Sequence, residues 1–215
     1  MGAGLLRAVR GAVVGIAALA GLAGAGLAGA AQAQVLASLP TEVGATPLGP
    51  AKPLAAWVAF CQGYAAECAV DQAEPARITL TQAVWNTIVA VNRRVNKTIQ
   101  PMTDMDHLHV ADRWDLAEDG IGDCEDFQLL KRRLLAEAGL PRRAMRMTVV
   151  IDEKGEGHAV LTLITDRGDL VLDNKTGAVL PWHRTGYVFV KRESQDAVAW
   201  VSLGGLTSPV TTANR

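Results

Sequence analysis

Gly122-Asp123-Cys124-Glu125-Asp126-Phe127 places a cysteine where a Gly-Asp turn gives way to a helical pattern. Phe127, Leu130, Leu134 and Ala138 then recur at helical spacing, and Gly139 and Pro141 end the run. Asp123 is suited to the N-cap, and Glu125 and Asp126 put negative charge in the first turn, where the helix dipole favours it. The spacing predicts a helix over 124–138 whose Lys131, Arg132, Arg133 and Glu137 mostly face outward. After that the period changes to two. Residues 145–152, 157–165, 169–173 and 186–192 read as strands, separated by turns at 153–156, 166–168 and 174–177. Connections that short join antiparallel neighbours. Helices followed by an antiparallel β-meander predict an α+β fold.

Upstream, Thr79 and Gln82 fit a capping box. Val84, Ile88, Val91, Val95 and Ile99, widened by Trp85 and Val89, form the apolar stripe of a second helix. Asn92, Arg93, Arg94 and Asn96 fall mainly on its wet side, and Pro101 bars continuation. The loop that follows, 101–122, holds Asp104, Asp106, His107 and His109, which are ligand types for a transition metal. Without a second ligand cluster, a solvated surface loop is the preferred reading.

The first 33 residues have the pattern of a secretory signal. Arg7 and Arg10 precede a run of small and apolar residues, and Ala31-Gln32-Ala33 is a small-x-small cleavage site. The alternative is a retained membrane anchor. Cleavage leaves 182 of the 215 residues, enough for one domain, read as an arm (34–56), a domain (57–203) and a tail (204–215). The leader carries two positive charges and no negative one, so its loss takes the net charge from −1 to −3. A mildly acidic chain without basic runs has no electrostatic footprint for nucleic acid. Protein or small molecule is the expected partner, with no membrane span after cleavage. Export makes the cysteine count informative. Cys61 and Cys68, with six residues between them, suit a disulfide in an oxidising compartment, which leaves Cys124 unpaired.

A thiol attacks as its thiolate, and a helix start favours that anion through free N–H groups and the dipole. The same N–H groups suit a developing oxyanion. His158, at the start of a strand, is the candidate base, and Asp173, at the end of the next, the candidate orienting carboxylate. With the hairpin centred between Arg167 and Gly168, His158 falls opposite Gly177, so roughly 13 Å of strand would separate it from Asp173. Asp123, Glu125 and Asp126 oppose a low thiol pKa, so a nearby cation has to offset them. Each residue alone has a plainer reading: Cys124 as a buried structural thiol, His158 as a strand-end histidine, Asp173 as a turn former. Trp114, ten residues before the cysteine, is a candidate for the oxyanion pocket or a core residue.

Taken with 129–133, Gly157-His158-Ala159-Val160-Leu161, Val171-Leu172-Asp173-Asn174, Leu180-Pro181-Trp182 and the ending Trp200-Val201-Ser202-Leu203, this motif resembles the bacterial transglutaminase-like cysteine proteinases. These lie within the papain-like and transglutaminase-like superfamily, and the resemblance runs from about 79 to 203. It implies Cys124 as nucleophile, His158 as general base and acid, and Asp173 as orienter, with the nucleophile helix packed on the β-meander. Lap-type relatives of this family are periplasmic, release adhesins and require calcium, which implies a Ca²⁺ site at Asp123 and Glu125. The resulting expectation is an exported, periplasmic cysteine peptidase that cleaves a protein, such as a cell-envelope or surface protein, through a thioester. Acyl transfer by the same triad is the alternative, and a non-catalytic calcium-dependent binding module is the rival from another class.

Overall fold

Strands rich in Val, Leu and Ile, joined by tight turns, form one seven-stranded antiparallel sheet. The computed structural model describes residues 44–207, and side chains over 44–205. The leader, the arm before residue 44 and the tail beyond 207 lie outside these residues. The chain runs β1 (Gly49–Ala51), α1 (Ala55–Gly63), α2 (Ala65–Cys68), α3 (Gln82–Thr98), β2 (Gln100–Pro101), α4 (Asp104–His107), β3 (Ile121–Gly122) and α5 (Cys124–Glu137). It continues through β4 (Met145–Ile151), β5 (Gly157–Thr165), β6 (Gly168–Leu172), β7 (Leu180–Pro181), β8 (Val188–Glu193) and β9 (Trp200–Thr207). No helix among the described residues is long and apolar enough to cross a membrane.

The sheet order is β1-β9-β8-β4-β5-β6-β7. β4, β5 and β6 are a meander, whereas β8 crosses over to the other edge of β4. The described part of the 34–56 arm is tied to the sheet. Ala45 N–H donates to Asp169 Oδ2 (3.0 Å), and β1 pairs with β9. The 204–215 tail begins inside β9, where Gly204 (φ 71°) and Gly205 (φ 65°) pass through left-handed backbone. Two adjacent glycines read as a break in sequence, yet here they let the strand kink and continue.

The N-cap of α3 is Thr81, whose hydroxyl accepts from Val84 N–H at 3.2 Å, and not Thr79. Ile78 and Leu80 are tied instead to the β5–β6 hairpin, through Ile164 O and Asp166 Oδ1 (2.8 and 3.0 Å), which holds 78–80 extended. α5 has almost the expected bounds but different faces. Leu129 and Leu135 are its deepest apolar residues, and Lys131 and Arg132, expected outside, are fully buried. Arg132 is enclosed because Glu193 meets it at 2.6 Å. Glu193 also accepts from Trp57 Nε1 (2.6 Å) and Met147 N–H (2.9 Å), so one buried carboxylate joins α1, α5, β4 and β8. Breaking such a charge pair by removing one partner costs about 3–5 kcal/mol.

The main core lies between the helices and one sheet face, with Trp85, Ile88, Leu129, Leu135, Leu161, Leu163, Leu170 and Leu172 buried together. The opposite sheet face carries a smaller cluster, including Val150, Val160, Val171, Tyr187 and Phe189. Cys61 and Cys68 are joined as a disulfide between α1 and α2. Both sheet faces being covered, the strands are held in one register.

Candidate active site

Gly122 leads into α5 by close approach: a Cβ there would lie 2.8 Å from Asp126 Cβ and Oδ2. Asp126, at N3, reaches back to accept from Asp123 N–H at 3.2 Å, one arm of a capping box. Cys124 occupies N1 as the free cysteine, half-buried against the main core. Its Sγ is engaged by Ala159 N–H, the residue beside His158, and by Glu125 Oε2 at 3.2 Å. The N-terminus of α5 is thus seated on the start of β5.

His158 Nε2 lies 2.9 Å from Asp173 Oδ1, both side chains buried. The expected 13 Å separation does not occur, because the hairpin is centred one residue earlier, with Thr165 paired to Gly168 and Leu161 to Leu172. Continued, this register sets Asp173 opposite Val160 and diagonal to His158, a relation that side chains of this length span. Asp173 is further held by Tyr187 Oη (2.6 Å to Oδ2) and Lys175 N–H (3.0 Å to Oδ1). Asn96 Nδ2 fixes the turn itself, donating to Asp173 O and Thr176 O (2.8 Å each). Burial pushes the Asp173 carboxyl up, but the His158 hydrogen bond and charge, with Lys175 N–H and Tyr187, hold it below the usual range. With Nε2 facing a carboxylate, Nδ1 is the ring nitrogen left for another partner.

The acidic neighbours do act against the thiolate. Burial, then the Glu125 charge, push the Cys124 thiol well up, and Asp123 adds to this. Glu125 is itself pushed up to about 10 by burial and by Asp123. Two carboxylates unforeseen as partners join them: ligand oxygens of Asp104, Asp112 and Glu125 lie within 4.8 Å of one another, as do those of Asp123 and Glu125 with Cys124 Sγ. Asp104 and Asp112 are raised as well, by burial first, with Asp123 adding to it. Asp123 Oδ1 is buried without a hydrogen-bond partner. Hard oxygens converging in this way, several with their charged form disfavoured by burial and one without a hydrogen-bond partner, fit a cation such as Ca²⁺.

The other sequence candidates separate. Asp104 joins this cluster, while Asp106 accepts from Thr103, His107 pairs with Asp119 (3.0 Å) and His109 Nδ1 meets Met105 O. Trp114 is a core residue, edge-on to Trp200 at 6.3 Å, and its side chain hydrogen-bonds Asp112, so it is not free as an oxyanion donor. Tyr187 and Asn96 escaped the sequence reading. Tyr187 lies just before its strand, and Asn96 sits on the polar flank of α3. A groove of about 280 Å³, lined by Ala56, Phe60, Tyr64 and Trp114, has Asp112 in its wall.

A family model for bacterial transglutaminase-like cysteine proteinases matches residues 48–208. The chain belongs to this family. A transglutaminase-like cysteine proteinase is a cysteine peptidase and acts on protein. Among solved structures, calcium-bound LapG of Legionella pneumophila is 24% identical, with a TM-score of 0.49, over 58% of this chain and 71% of that one. EGTA-treated LapG from the same organism is 24% identical, with a TM-score of 0.44, over 51% and 62%. A further LapG structure is 20% identical, with a TM-score of 0.47, over 61% and 72%. No curated protein matches the sequence at a significant level.

Proposed function

We propose that this cysteine peptidase is itself exported to the periplasm and acts there on a protein substrate, such as a cell-envelope or surface protein, through Cys124, His158 and Asp173 as nucleophile, base and orienting carboxylate. The observation that carries the reading is the buried His158–Asp173 contact beside a free cysteine at a helix N-terminus. Export rests on the leader-like sequence of 1–33 and accords with the Cys61–Cys68 disulfide.

In this mechanism His158 Nδ1 takes the thiol proton as Sγ attacks the peptide carbonyl carbon. The oxygen gains negative charge beside the first N–H groups of α5, which have no intrahelical acceptor. His158 then gives its proton to the leaving amine, the C–N bond breaks, and a thioester remains. Water, deprotonated by His158, attacks the thioester carbon, and the thiol is released. Asp173 holds Nε2–H and stabilises the imidazolium throughout. Should an amine reach the thioester first, the same steps give acyl transfer.

Ca²⁺ would be held by Asp123 and Glu125, with Asp104 and Asp112 as further oxygen donors. When bound, it would neutralise the carboxylates that oppose the thiolate. Glu125→Gln is expected to weaken both calcium binding, read by titration calorimetry, and Cys124 reactivity. The function itself is tested by comparing exported proteins from strains carrying the wild type and Cys124→Ala, using mass spectrometry of new N-termini. Cleavage products lost in the variant support the peptidase, and crosslinked products lost instead support acyl transfer. Products that persist unchanged overturn both.

A further inference from the structure

The backbone ladder between β5 and β6 ends short of the site. Its last pair is Leu161 with Leu172, so His158 and Asp173 both lie beyond it. His158 is paired instead with Val150 of β4, in a hairpin closed by the turn 152–156. Asp173 opens a different turn, 173–176, which Asn96 ties to α3. The buried His158–Asp173 contact therefore joins two separate turns, past the end of the ladder that joins their strands.

One residue bridges these turns. Lys175 donates its N–H to Asp173 Oδ1 (3.0 Å), and its ammonium reaches Asp152 Oδ2 at 2.5 Å. Asp152 Oδ1 meanwhile accepts from Lys154 N–H and Glu156 N–H (2.9 and 2.8 Å), which fixes the chain two residues before His158. The same ammonium stands 5.8 Å from the centre of the Tyr187 ring, whose hydroxyl donates to Asp173 Oδ2. Its other carboxylate neighbour, Glu153, is 3.8 Å away and well exposed, so it is the weaker partner. The Asp152 side chain is only 2% exposed, whereas that of Lys175 is 34% exposed. An exposed pair would contribute little, but here removing the lysine leaves a buried carboxylate without its cation.

Building on the Cys124–His158–Asp173 reading above, we propose that Lys175 is a positioning residue, with Asp152 as its anchor. The bridge clamps the turn that carries Asp173 to the turn that aims His158, and holds the imidazole against its carboxylate where the ladder no longer does. Lys175 touches no reacting atom. Its role is geometric, because a general base works only within hydrogen-bond reach of the proton it takes.

The test reads the contact and its consequence in the intact protein with Ca²⁺ present. The buried His158 Nε2–H is followed as an imidazole N–H proton by NMR, with His158→Ala supplying the assignment among the four histidines. In Lys175→Met its exchange with water is expected to rise about tenfold as the clamp opens. Alkylation of Cys124 by iodoacetamide at pH 7 should fall by about tenfold, since misplacement by a full ångström can cost about a hundredfold. Lys175→Arg, which keeps a cation on the turn, should restore both. Adding Asp152→Asn to Lys175→Met should do no further harm, because both changes break one bridge. A lysine that only adds stability would lower the melting temperature and leave both readouts at wild-type values. That result in folded Lys175→Met overturns the proposal, and Lys175→Gln gives the same measurement if the methionine variant folds poorly. Should His158→Ala alkylate like the wild type, the triad reading fails, and the N–H exchange still judges the clamp.

Discussion

Tyr187 isolates what the buried Asp173 carboxylate needs. Its hydroxyl donates to Asp173 Oδ2 at 2.6 Å inside the smaller core cluster. Tyr187→Phe keeps the ring and leaves a buried carboxylate oxygen one donor short. The expected cost is about 2 kcal/mol in urea unfolding, typical of a hydrogen bond to a charged group. A pH dependence accompanies it. Asp173 is held below its unfolded value by His158 and its other donors, so its contribution is present above about pH 4 and is lost as pH falls through the lower folded value. Tyr187→Phe should shorten that acid limb in a series of melting curves. At this scale Cys124, His158 and Asp173 were legible because each carries a local pattern, a helix start or a strand end. Tyr187, Asn96 and Asp112 were not, and Asp104 was legible only as a ligand type in its own loop, because long-range packing brings them to their partners.

At the scale of elements, α5 was legible in its bounds and not in its faces. Gly139 and Pro141 mark its end in any context, but Lys131 and Arg132 look solvent-facing until the folded core encloses them, Arg132 against Glu193 and Lys131 against Gln128. The entry to α5 gives the sharper prediction. Gly122→Ala would push a methyl against Asp126 Cβ, which belongs to the helix and cannot swing away. The expected result is a loss of about 1–3 kcal/mol, as for other overpacking, with slower alkylation of the displaced Cys124. Unfolding and alkylation measured on one preparation check both. The β5–β6 hairpin teaches a related point. Moving its centre by one residue changed the relation of His158 to Asp173 from remote to diagonal, and only the paired backbone fixes that register.

For the whole molecule, the α+β order was legible from the switch in period, while the crossover that puts β8 beside β4 was not, since tight turns record only local neighbours. The Cys61–Cys68 disulfide closes a short loop that carries Glu67, whose carboxylate pairs with Arg133 (3.0 Å) and Arg142. Reduction is expected to cost about 2.5 kcal/mol by loop-closure entropy, read as a lower urea midpoint under reductant. The acidic cluster, the helix start and β5 act together at one point, the Cys124 thiol. The most direct measurement is therefore the rate at which iodoacetamide alkylates Cys124 at pH 7, mapped by mass spectrometry. It is taken on the folded protein with Ca²⁺, with chelator, after denaturation, and in His158→Ala. The account predicts that the calcium-loaded protein reacts about tenfold or more faster than the denatured chain, as a thiol pKa lowered by a unit or more gives, and that chelation or His158→Ala removes the excess. A folded, calcium-loaded Cys124 that reacts no faster than the denatured chain would contradict it.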